Sequence, residues 1–153
     1  MELQALQQEC LACRRCGLCE TRHSVVFGQG AAHAEVMLVG EGPGANEDEQ
    51  GLPFVGKSGQ LLDHYLEAVD LSRDKNVYIA NIVCLGRVAA QRMLDPGFSI
   101  SRDHGKFFDK QGTLFMATYH PAALLRYPDN KPAVFGDFVA LRQKITEVCE
   151  HTY

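Results

Sequence analysis

The segment EVMLV, residues 35 to 39, is an apolar run of strand length. It empties into GEGPGANEDEQGLPFVGKSG, residues 40 to 59, a long stretch rich in glycine and acidic residues. Loops of that length inside a compact domain are usually functional. Helical spacing follows in GQLLDHYLEAVDL, where Leu62, Leu66 and Val69 share one face with Leu61 and Tyr65 beside it. Strand, long loop and amphipathic helix in that order belong to an open α/β sheet. In such a sheet ligands gather at the carboxyl ends of strands, which is where this loop would lie.

The rest of the chain repeats the alternation. Residues 2 to 12 read as a short helix carrying Leu3, Leu6 and Leu11, and VVF at 25 to 27 reads as a short strand. NVYIANIVCLG, residues 76 to 86, reads as a buried strand, and RVAAQRML as a short helix ended by Asp95-Pro96-Gly97. KFFDKQGTLFMATY predicts a hairpin turning near Gln111-Gly112, with 113 to 119 as its long strand. The tail from 134 to 149 is an amphipathic helix with Val134, Phe138, Leu141, Ile145 and Val148 on one stripe. The expected fold is a single three-layer α/β/α domain over 1–153 with a mostly parallel central sheet. With 46% hydrophobic residues in 153, the chain can fill such a core.

The formal net charge of -4 argues against a non-specific nucleic-acid coat, although it allows a local basic groove. No apolar run approaches a membrane span, and MELQALQQEC lacks the features of a signal peptide. The expected location is therefore the cytoplasm. In a reducing compartment, closely spaced cysteines are more often ligands or redox groups than disulfides.

Four stretches carry side chains suited to chemistry, each with a plainer alternative. Gly40, Gly42 and Gly44 allow a ligand close to the backbone, but the phosphate-loop order G-x-x-x-x-G-K-[ST] is absent, and an acidic surface loop is the alternative. YHPAALLR, residues 119 to 126, puts His120 at a strand end before a proline, either as a catalytic group or as a helix cap. Leu124 and Leu125 beside Arg126 are either a wedge between bases or a helix turn packed on the core. Asn81 within an apolar strand either reads the edge of a base, having both donor and acceptor, or bonds the backbone. The run CLACRRCGLC spaces Cys10, Cys13, Cys16 and Cys19 three apart, either like the first part of a ferredoxin-type cluster site or as two free thiols plus one C-x-x-C pair.

Taken together, CRRCGLCETR, VVFGQG, LVGEGPGANEDEQGLPFVGKSGQLLD, NVYIANIV, LGRVAAQ and TYHPAALLR resemble the family 4, iron–sulfur uracil-DNA glycosylases. The resemblance implies an enzyme of base excision repair that flips deoxyuridine out of DNA and hydrolyses its N-glycosidic bond. It implies that Glu41, Gly42 and Pro43 line the uracil site, that Phe54 stacks on the base, and that Asn81 bonds its edge. His120 would donate to the uracil oxygen, with Glu41 assisting electrostatically. Leu124, Leu125 and Arg126 would occupy the duplex gap and contact the backbone. A structural [4Fe-4S] cluster is implied, with Cys13 and Cys16 as two of its ligands. The partner is uracil-containing DNA, single- or double-stranded, and the protein is expected to be a monomer.

One departure stands out. In the family NIV is followed by lysine, a third cysteine, a helix carrying a fourth, and another strand before LGRVAAQ. Here NIV runs directly into CLGRVAAQ. This predicts an internal deletion between Val83 and Cys84 that removes one strand, one helix and two cluster ligands. Cys84 aligns with the later strand and is not assigned as a ligand. Residues 76 to 85 must then serve as either the asparagine-bearing strand or the lost one. Two further readings are a remnant that binds DNA or uracil without cleaving, and a small iron–sulfur protein built on Cys10, Cys13, Cys16 and Cys19.

Overall fold

A computed structural model of the chain describes residues 3–148 other than 32, 35 and 80–82. The amino-terminal third forms α1 (Leu3–Leu11), α2 (Leu18–Thr21), β1 (Gln29–Gly30) and β2 (Val36–Val39). The long loop after β2 contains a short helix, α3 (Ala45–Gln50), and leads into α4 (Lys57–Glu67). Then come β3 (Val77–Ile79), β4 (Val83–Leu85), α5 (Arg87–Met93) and α6 (Ile100–Asp103). The chain closes with β5 (Phe107–Lys110), β6 (Thr113–Thr118), α7 (Pro121–Arg126) and α8 (Lys131–Val148).

The strands make one sheet in the order β1-β3-β2-β4-β6-β5. The middle four run parallel, and β1 and β5 are antiparallel edges. Parallel strands covered on both faces alternate their side chains between two cores. Val36, Leu38, Val83, Leu85 and Met116 point into one core, with Leu62 and Leu66 of α4, Leu124 of α7, and Val134, Phe138, Leu141 and Ile145 of α8. Val39, Cys84 and Ala117 point into the other, against Ala89 and Ala90 of α5 and Phe98. The expected three-layer α/β/α arrangement is the one observed.

Differences from the sequence reading are local. Residues 25 to 27 are irregular, and the nearby strand is β1 instead, paired with β3. Val148 is exposed, so the apolar stripe of α8 ends at Ile145. The β5–β6 turn falls at Gln111 and Gly112, both at positive φ, as a two-residue hairpin between twisted strands requires. Asp137 sits on the inner face of α8 among the apolar positions. It accepts hydrogen bonds from His104 Nδ1 at 2.9 Å and from Thr118 Oγ1 at 2.5 Å, which satisfies a buried carboxylate. No helix among the described residues is long and apolar enough to cross a membrane.

The largest difference concerns residues 76 to 85, which do not form one strand. β3 pairs with one side of β2 and β4 with the other, and Leu38 of β2 is flanked by Ile79 and Val83. Neighbouring strands lie about 4.8 Å apart, so the two flanks of β2 are roughly 10 Å apart. Four residue steps reach at most about 14 Å, enough to pass from one flank to the other. They are too few for the dozen-residue crossover that joins full parallel neighbours. Among the described residues, β3 pairs with Val36, Met37 and Leu38 of β2, and β4 with Leu38 and Val39. Asn81 lies outside the described residues.

Candidate active site

The loops after β2 and β6 meet at the carboxyl edge of the sheet around a cleft of about 470 Å³. Gly40, Glu41, Gly42 and Pro43 form one wall, Phe54 another, and His120 closes the end. Five of the expected site residues, Glu41, Gly42, Pro43, Phe54 and His120, thus share one cavity. The Phe54 and His120 rings lie 5.7 Å apart between centroids at 31°. A Cβ on Gly40 would stand 2.8 Å from Phe54 Cζ, so only glycine lets the ring lie against the end of β2.

His120 is the N-cap of α7. Its Nδ1 accepts the backbone N–H of Ala122 at 3.1 Å, one of the amides a helix start leaves unpartnered. An Nδ1 that accepts is unprotonated, so the neutral ring carries its proton on Nε2, as a donor. Burial lowers the His120 pKa; Glu41 and Glu47 pull it upward and Arg126 pushes it further down, with the net shift downward. The plainer sequence reading, a helix cap, is correct and compatible with the catalytic one, because the two roles use different ring nitrogens.

This geometry has a pH consequence. Protonation would put a second hydrogen on Nδ1, facing the Ala122 N–H it now accepts. The cap holds while the ring is neutral. Its contribution is complete above the unfolded histidine value of about 6.5 and is lost as pH falls below it through the lowered folded value. Activity that depends on this ring should be level above pH 7 and fall on an acid limb whose midpoint lies below 6.5. A pH profile of base release tests this, and a limb centred at 7 or above contradicts it.

Glu47, not anticipated from the sequence, organises the cleft loop. Its carboxylate accepts the backbone N–H groups of Gly44 at 3.1 Å and of Val55 and Gly56 at 2.9 Å each. Burial raises its pKa, but those amide donors outweigh burial and the net shift is downward. Glutamate three residues after a helix N-cap was a legible signal; its reach to residues 55 and 56 was not.

The residues expected to enter the duplex gap separate. Leu124 is 0% exposed and packs in the core beneath α7, so it cannot insert between bases without unpacking. Leu125 is 47% exposed, and Arg126 and Tyr127 are also at the surface. Burial followed from the helical turn 121–126, which points positions 124 and 125 in different directions. Leu124→Ala is expected to lose about 2–5 kcal/mol of stability in denaturant unfolding, whereas Leu125→Ala leaves stability near wild type.

At the amino terminus, Cys13 donates its N–H to the Cys10 carbonyl and Cys19 to that of Cys16, each at 3.1 Å. Cys16 is exposed and the other three are half-buried. No three His, Cys, Asp or Glu side chains converge as a metal site among the described residues. Cys84 is buried in the sheet, where desolvation pushes its thiol up to about 11, far from a thiolate ligand. As described, these cysteine side chains are not gathered into the four-thiolate arrangement of a [4Fe-4S] cluster.

The sheet, the cleft at its carboxyl edge and the sequence across both identify the class: residues 27–84 match the Uracil DNA glycosylase superfamily. Similarity to curated proteins extends over nearly the whole chain. A type-4 uracil-DNA glycosylase of Archaeoglobus fulgidus is 34% identical over 190 residues, covering 96% of this chain and 93% of that protein. One from Sulfurisphaera tokodaii is 30% identical over 92% of this chain and 84% of its own length. One from Pyrobaculum aerophilum is 31% identical over 90% of each. The chain belongs to the type-4 uracil-DNA glycosylase family.

Proposed function

We propose that this protein removes uracil from DNA by hydrolysing the N-glycosidic bond of a flipped deoxyuridine, as an enzyme of base excision repair in the cytoplasm. The observation that carries this is the pairing of an aromatic face with an Nε2–H donor, Phe54 and His120, in one cleft. Uracil is flat and carries carbonyl oxygens. Phe54 covers its face, and His120 donates from Nε2 to an oxygen on which negative charge grows as the base leaves. Glu41, on the cleft wall, opposes the positive charge developing on the sugar. Asn81 reads the uracil edge, and Leu125 and Arg126 contact the DNA backbone beside the cleft. The test is incubation with single-stranded uracil DNA and measurement of free uracil. Release slowed by about 10²–10³-fold in His120→Ala supports the assignment, and absence of release alongside an active relative refutes it.

An internal deletion between Val83 and Cys84 accompanies this reading. The alignment with the Archaeoglobus fulgidus protein is 190 positions long, 37 more than the 153 residues of this chain, so at least that many positions face gaps here. The superfamily match also ends at residue 84. Cys13 and Cys16 are then half of a cluster site whose other ligands went with the deleted segment. The divided register of β3 and β4 favours a second reading, a remnant that binds uracil or DNA without cleaving. Uracil binding with no base release distinguishes it.

A further inference from the structure

We infer that Arg73 is a positioning residue that holds Phe54 in place as the face of the cleft. Phe54 is one of three non-glycine residues described at positive φ, at 54°. That conformation costs an ordinary side chain about 1–2 kcal/mol and persists only where the surroundings hold it. Arg73 lies in the connection between α4 and β3, and its guanidinium makes five contacts with its five N–H groups. Nε and Nη2 donate to the same oxygen of Asp63, at 2.9 and 2.7 Å. Nη2 also donates to the Phe54 carbonyl at 3.1 Å. Nη1 donates to the Pro53 carbonyl at 3.0 Å and to Gln29 Oε1 at 3.4 Å.

Every donor is thus spent on the protein itself, and the side chain is 15% exposed. A guanidinium with no donor left does not grip a phosphate; its work is to join parts. Here it joins α4, through Asp63, to the two consecutive carbonyls that precede and include Phe54. Gly59 completes the seat: a Cβ there would stand 1.8 Å from the Phe54 carbonyl oxygen, so the loop backbone lies directly on α4. On the other side, Glu47 holds the next two amides, Val55 and Gly56. Phe54 is therefore gripped by its own carbonyl from beneath and by its successors' amides from above, leaving the ring free to face the cleft. Lysine at 73 keeps the charge but, with one nitrogen, cannot serve Asp63, Phe54 and Pro53 together.

The uracil arm of the test rests on the cleft being the uracil seat, and the exchange arm does not. Arg73→Lys and Arg73→Gln are compared with wild type by amide hydrogen exchange, followed by NMR at Val55 and Gly56 and at the core amides of β6. Exchange at 55 and 56 should be at least tenfold faster in both variants, with β6 unchanged. Titration with free uracil should show at least tenfold weaker binding by Arg73→Lys, and less than twofold further loss when that change is added to Phe54→Ala. Unchanged exchange at 55 and 56 overturns the inference. So does an equal effect of Arg73→Lys with and without Phe54→Ala, which marks a general structural role. If wild type fails to bind uracil while exchange accelerates as expected, the clamp stands and the uracil assignment falls.

Discussion

His120→Ala is expected to slow uracil release from single-stranded uracil DNA by about 10²–10³-fold, the usual cost of removing one donor that stabilises charge in the transition state. The substitution also takes away the acceptor for the Ala122 N–H, worth about 1 kcal/mol as a lost N-cap. Those two losses separate by choice of variant. Asparagine at 120 has a side-chain oxygen that caps α7 but no Nε2–H in the same position. His120→Asn should therefore recover most of the thermal stability lost by His120→Ala and little of the rate. Rates for both variants, with thermal melts beside them, decide the matter. If asparagine restores stability and activity in parallel, the histidine serves as a cap alone.

The second large effect concerns the junction at Val83 and Cys84. On the internal deletion proposed there, inserting a strand-and-helix segment of the kind the family carries at this point is expected to raise the melting temperature by more than about 10 °C. The reasoning starts from the sheet. Among the described residues, β3 pairs with β2 over three positions and β4 over two, and Leu38 is flanked by both. A restored crossover lets each run as a full strand beside its neighbour. The gain of several paired positions and the apolar burial beneath them is large against total stabilities of about 5–15 kcal/mol, and about 1 kcal/mol moves the midpoint of a domain this size by a few degrees. Iron content gives an independent readout: the inserted protein should carry about four irons per chain once Cys13 and Cys16 regain partners. A chimera that melts no higher and holds no iron would overturn the proposed deletion.

Much of the fold was legible because it rests on local periodicity. The four buried apolar positions of α8 recur at helical spacing, and the strands β2, β4 and β6 alternate between the two cores as period two requires. The hairpin was visible in Gln111-Gly112, since the turn chemistry sits in two adjacent residues. The cleft was legible in outline for a different reason. A loop that follows a parallel strand must emerge at the carboxyl edge, so residues 40 to 44 and His120 were bound to face the same side.

Other features depend on distances between parts of the chain that no window contains. Arg73 is an unremarkable basic residue in SRDKN until the loop at 53 and 54, the helix at 63 and the strand at 29 converge on it. Glu47 reads as one more acid in an acidic stretch until Val55 and Gly56 fold back onto it. Leu124 and Leu125 are equivalent as letters, and only the packing of α7 on the sheet buries one and exposes the other.

The sequence by itself determined the main helices α4, α5 and α8 and the strands β2, β5 and β6, the edge of the sheet that carries the site, and the family to which its motifs point. Tertiary structure decided that β3 and β4 lie on opposite sides of β2, that Cys84 is a core residue, and that Arg73 and Glu47 bond the backbone at and beside Phe54. The physical reason is range. Periodicity is a property of neighbours along the chain, whereas strand order, burial of one leucine over the next, and five hydrogen bonds to one guanidinium exist only when distant segments share the same few ångströms.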